Sequence, residues 1–174
     1  MRKTLALPLL LLLTTACTMH RDEQTPLVSA ARAGDAAQVR ALLARGADPN
    51  EPSGENGWTP LLHAVHKGQR EAAAALLDGG AAIDRGSPSG MTPLMMAAGY
   101  DDRDMVALLL RRGASLRATD AHGEAAVDYA MSGMIDLDRF TYFRCNAAAT
   151  SLLRSDLANA KRGSVRWAHL KGCV

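Results

Sequence analysis

Three copies of one tripeptide set the scale of everything this chain can fold into. Thr25-Pro26-Leu27, Thr59-Pro60-Leu61 and Thr92-Pro93-Leu94 recur at offsets of 34 and 33 residues. The same register carries Leu42-Leu43, Leu76-Leu77 and Leu109-Leu110, and then Gly46-Ala47, Gly80-Ala81 and Gly113-Ala114. A weaker fourth copy begins at Ala125-Ala126-Val127, 33 residues after the third. A period of this length means stacked supersecondary units, none of which buries its apolar face alone. Within each unit, Thr is placed to cap a helix and Pro to be its first residue. Leu and Ala follow at helical spacing, and a second helix runs to a glycine. Each unit therefore reads as a helix pair.

The stretches joining the pairs, Asp48 to Gly54 and Asp84 to Gly90, are rich in Asp, Pro, Ser and Gly and read as projecting turns. An extra residue in the first accounts for the offset of 34. The agreement of Thr-Pro-Leu, Leu-Leu and Gly-Ala in three registers resembles ankyrin repeats, over residues 25–143. The expected architecture is all-α: a solenoid of about four repeats (25–58, 59–91, 92–124 and a degenerate 125–143) followed by a helical C-terminal extension over 144–174. The first repeat lacks the family's Asp-Gly lead-in before Thr25, and Asp101 stands where a glycine is usual between the helices of the third. The fourth keeps Gly123 and Asp128 but loses Leu-Leu and Gly-Ala, which suits a unit that caps the apolar end of a solenoid.

The N-terminus reads differently. Arg2 and Lys3 precede an apolar run from Leu5 to Leu13, which is about half the ~20 residues a bilayer span needs, so residues 1–16 are expected to be a secretory signal. Thr14-Thr15-Ala16-Cys17 resembles a bacterial lipobox, although Leu13 sits one place early and Thr occupies its usual position. That resemblance implies cleavage before Cys17, lipidation of its thiol, and a linker over 17–24. Thr18, where the sorting signal for retention would place Asp, implies an outer-membrane lipoprotein facing the periplasm. Eight steps from Cys17 to Thr25 reach at most about 28 Å, which keeps the repeats close to the membrane.

Arg2 and Lys3 account for the whole formal charge of +2. The chain without them is neutral, and nothing in it supports nucleic-acid binding. Charge is nonetheless polarised: residues 21–143 carry 12 basic and 17 acidic side chains, and 144–174 carry 6 and 1. Cys145 and Cys173 are the two thiols left once Cys17 is lipidated, and in an oxidising compartment they are expected to form a disulfide.

His63 and His66, three apart on one helix, invite a metal reading. Register points elsewhere: His63 aligns with Ser29, Met96 and Tyr129, a packing position, and His66 with Arg32, Gly99 and Ser132, on the face with which ankyrin proteins meet partners. A metal site needs three or four ligands, and the same helix supplies no Cys, Asp or Glu. Asp101, Asp102 and Asp104 read as helix-start residues favoured by the dipole. No catalytic motif, metal or cofactor is expected.

The ankyrin resemblance implies a partner-binding face made of Arg32 in the first repeat and Glu55, Asn56, Trp58, His66 and Lys67 in the second. It continues through Ser89, Met91, Gly99 and Tyr100 in the third and His122 and Glu124 in the fourth. Trp58 and Tyr100 stand out, because a chain with seven aromatics places two of them there and such residues dominate interfaces. The expected role is binding a protein partner, as an immunity or accessory protein neutralising a secreted toxin effector. The alternative is a scaffold or stress-protective adaptor for an envelope enzyme such as a catalase.

Overall fold

The computed structural model describes residues 24–54, 56–132, 151 and 153. Seven helices run through them, α1 Pro26–Ala33, α2 Ala36–Ala44, α3 Pro60–His66, α4 Arg70–Asp78, α5 Pro93–Gly99, α6 Arg103–Arg111 and α7 Ala126–Ser132. No strand occurs among the described residues, and none of their helices is long and apolar enough to cross a membrane. The expected signal and lipidation at Cys17, the Cys145–Cys173 disulfide, Glu55 and nearly all of the C-terminal extension lie outside the described residues.

The repeated Thr-Pro acts as its chemistry requires. Thr25, Thr59 and Thr92 each accept a hydrogen bond on Oγ1 from the backbone N–H three residues on, at 3.3 Å. Proline follows as the first helical residue of α1, α3 and α5, where a missing N–H costs nothing. The second helices are capped by Asp35 and Asp102, whose carboxylates accept from Gln38 N and Met105 N at 2.9 and 3.0 Å. Gln69 holds that position before α4 without capping it. It donates instead from Nε2 to the Arg32 carbonyl at 3.3 Å, tying the second repeat to the first.

Between the two helices of each pair the chain turns through one residue in the left-handed region. Gly34 and Gly68 hold it at φ 77° and 70°, and Asp101 holds it at 58°. The turn that the aspartate put in question therefore forms. Asp102 N donates to Ala97 O at 3.0 Å, just as Asp35 N donates to Ala30 O and Gln69 N to Ala64 O. Asp102 caps α6 and Asp104 sits in its first turn, as the helix-start reading requires, whereas Asp101, grouped with them in that reading, is the turn residue itself.

Leu27, Leu61 and Leu94 from the Thr-Pro-Leu motifs are buried, with Val65, Leu76, Met96, Val106 and Leu109, in one continuous core. Alanines at the close approaches, such as Ala31, Ala64, Ala72, Ala73 and Ala98, are fully buried in it. Small side chains let neighbouring helices approach, which is why a composition with 4% aromatics suffices. The fourth unit adds α7, which packs on α5 through Ala126 and Ala130. Leu153, in a helical position of the C-terminal extension, is 0% exposed in the same cluster.

The fingers close by one backbone bond each: Ser53 N to Trp58 O, Ser87 N to Met91 O and Asp120 N to Glu124 O, all at 3.0 Å. Counting across them places the extra residue of the 25–58 repeat within the tip, between Ser53 and Trp58. Short polar side chains lock successive fingers together. Asn50 donates to Gly80 O and accepts from Ala82 N at 2.7 Å, and Asp84, at the same register, accepts from Ser115 N at 2.9 Å.

Candidate protein-binding face

The residues singled out around Trp58 form one cluster. Trp58 sits at the base of its finger, half-buried, and its ring meets His66 edge-on at 5.1 Å and His63 at 5.5 Å, centroid to centroid. His66, the last residue of α3, hydrogen-bonds through Nδ1 with the Tyr100 hydroxyl at 2.8 Å, their rings 5.7 Å apart. Aromatic contacts of this geometry contribute about 1 kcal/mol each beyond the area they bury. The result is a rigid wall running from the second finger to the end of α5. Asn56 fixes the base of Trp58 from the tip, its Oδ1 accepting from Trp58 N at 3.3 Å.

His63 lies behind this wall, 4% exposed, where its register places it, with Nε2 3.5 Å from Ser53 O. Burial lowers its proton affinity; the Ser53 carbonyl opposes that, and the charges of Arg32, His66 and Lys67 lower it further. His63 is thus a packing residue that links α3 to the finger. Among the described residues, no group of three or more His, Cys, Asp or Glu is disposed to hold a metal.

The structure does not treat the remaining candidates alike. Arg32, His66, Lys67 and Met91 are half-buried and Asn56, Ser89, His122 and Glu124 are exposed. Gly99 is buried and Tyr100 is only 6% exposed. Tyr100 therefore acts on the surface through its hold on His66, because its own ring fills the gap between α5 and the second repeat.

A network that the sequence reading missed organises the finger from Asp120 to Glu124. Asp120 is 8% exposed and accepts from the backbone N–H groups of His122 and Glu124 at 2.9 Å, the Tyr129 hydroxyl at 2.9 Å and the His122 ring at 3.2 Å. Burial pushes its carboxyl up, but these donors outweigh it and bring the pKa down to about 2. Burial and the Asp120 carboxylate both push the Tyr129 phenol well above its usual range. An aspartate three residues before Gly123 is the signal that was available, since it is the side chain that closes its own turn. His122 and Glu124, which were singled out, flank this pivot.

Comparison with known proteins fits this architecture. A family model described as ankyrin repeats in three copies matches residues 4–87, and one for ankyrin repeats in many copies matches residues 76–130. The phosphate system positive regulatory protein PHO81 of Saccharomyces cerevisiae is 38% identical over 71 residues, 41% of this chain and 5% of that protein. The 2-5A-dependent ribonuclease of Mus musculus is 38% identical over 60 residues, 34% of this chain and 8% of that protein. Ankyrin repeat and SAM domain-containing protein 6 of Rattus norvegicus is 35% identical over 65 residues, 37% of this chain and 7% of that protein. The chain spans 5 to 8% of the length of these relatives, so the likeness concerns the repeats and not their other parts. With capped helix pairs, fingers in register and two ankyrin models spanning residues 4–130 between them, this chain carries ankyrin repeats and folds as an ankyrin-repeat solenoid.

Proposed function

We propose that this protein works by binding another protein on the face built from the finger bases and the ends of the first helices, with Trp58 at its centre. It is held at the outer membrane through lipidated Cys17 and neutralises a toxin effector that reaches the periplasm, as an immunity or accessory protein. Ankyrin repeats generally mediate protein–protein interaction. The observation that carries the reading is Trp58, a half-buried indole held by His63, His66 and Asn56 at a point where the solenoid's own packing leaves it partly open. Preorganised aromatic anchors of this kind dominate the energetics of interfaces.

Two experiments test it. Deleting the gene is expected to kill cells only while a toxin encoded beside it is expressed, and the mature protein is expected to form a one-to-one complex with that toxin. Truncating the anchor with Trp58→Ala should weaken the complex by about tenfold or more, the loss typical of a hot spot. A complex unchanged by Trp58→Ala rejects the face. Survival of the deletion strain under toxin expression rejects the immunity role.

A further inference from the structure

The face is not uniform in charge. Arg32 near the end of α1 and His66 at the end of α3 occupy the same register position in consecutive repeats, and Lys67 caps α3. All three lie close enough to His63 to lower its proton affinity, and no carboxylate is among the groups acting on it. At the corresponding places in the third repeat stand Gly99 and Tyr100, which carry no such charge. At these two positions the cations are therefore confined to the first two repeats, where His66 meets Trp58.

This local sign runs against that of the repeats as a whole, several of whose carboxylates are engaged away from it. Asp35 and Asp102 are engaged as helix caps, and Asp78 and Asp104 pair with Arg112 and Arg70 on the second helices. Asp120 is enclosed by its own donors. These five carboxylates are engaged within the frame. Among the described residues nothing hydrogen-bonds the guanidinium of half-buried Arg32, and a partly desolvated guanidinium is a strong, directional receptor for a carboxylate.

We propose that this patch receives an acidic, extended segment of the protein partner. A carboxylate engages Arg32 by its two-pronged fork, and the adjoining apolar side chain packs on Trp58. The inference rests on the binding-face reading above and adds to it the chemistry of the partner.

The test is a selection of random displayed peptides on the full chain, followed by affinity measurements on the recovered ligands. The expected ligands are enriched in Asp and Glu and bind less well as salt is raised, because the contact is partly exposed. Arg32→Gln weakens them by about tenfold, the worth of a charge-assisted hydrogen bond. Arg32→Lys, which keeps the charge and loses the fork, weakens them less. The reversal Arg32→Glu turns the preference away from acidic ligands, and an unchanged thermal transition certifies that each variant is folded. Ligands that need Trp58 but are uncharged or basic, and ignore Arg32→Gln, overturn the acidic partner and leave the binding face standing. Recovery of no ligand, or only of ligands that survive Trp58→Ala, overturns both.

Discussion

Asp101 shows how one residue can keep a fold and weaken it. The turn between α5 and α6 needs a positive φ, and Asp101 supplies it at 58° where Gly34 and Gly68 do so in the earlier repeats. A side chain in the left-handed region costs about 1 kcal/mol, less for a short polar one. Asp101→Gly is therefore expected to raise stability by about 0.5–1 kcal/mol, read as an upward shift of the urea midpoint. Two other residues set the pH dependence. Native His63 holds its proton less tightly than the unfolded chain does, so the unfolded state binds more protons in the window below about 6.5. Stability should fall as pH drops through that window, and His63→Gln should flatten this part of a melting-temperature profile. Asp120 acts lower: its carboxyl is held at about 2, so its contribution is complete above about 3.8 and is lost as pH falls from there toward 2. Asp120→Ala, which strands the Tyr129 hydroxyl and two backbone donors, should cost about 2–3 kcal/mol in chemical denaturation at pH 7.

At the scale of elements, helices seven to nine residues long are too short to stand alone, and each depends on caps and neighbours. The caps were legible because Thr-Pro and Asp are local chemistry, and Thr25, Thr59, Thr92, Asp35 and Asp102 all cap in the structure. The inter-repeat links were not legible. Nothing in the sequence around Asn50 announces that it bridges Gly80 and Ala82, because both bonds form only when fingers 30 and 32 residues apart are stacked. Asn50→Ala should cost about 1–2 kcal/mol by equilibrium unfolding, as both neighbours lose a partner. The exposed Arg70 and Asp104 pair on α4 and α6 is a contrasting case, with side chains 47% and 70% exposed. Its removal by Asp104→Asn should change stability by no more than about 0.5 kcal/mol in the same assay, because solvent screens the pair.

Across the whole molecule, stability passes from repeat to repeat through shared apolar surface, and the C-terminal extension takes part. Leu153 is fully buried in the core that runs from Leu27 to Ala130. Leu153→Ala is expected to cost about 2–5 kcal/mol, seen as a lower denaturation midpoint. The same nearest-neighbour logic explains the surface around Trp58. Trp58 is partly open because the finger base lies at the margin of two stacked units, whereas Tyr100, with equal appeal in the sequence, is drawn under His66. Sequence register places both residues on one face but does not say which ring covers which.

By itself the sequence determined the period, the helix pairs, their starts and turns and the leucines of the core. Each of these follows from local backbone chemistry repeated in register, which a period of 33 to 34 residues makes visible. Only the tertiary structure decided that His63 links α3 to its finger, that Tyr100 holds His66, and that Asp120 is the pivot of its own finger. These outcomes depend on contacts between residues as much as 34 positions apart, and such contacts exist only after the repeats have stacked and excluded water.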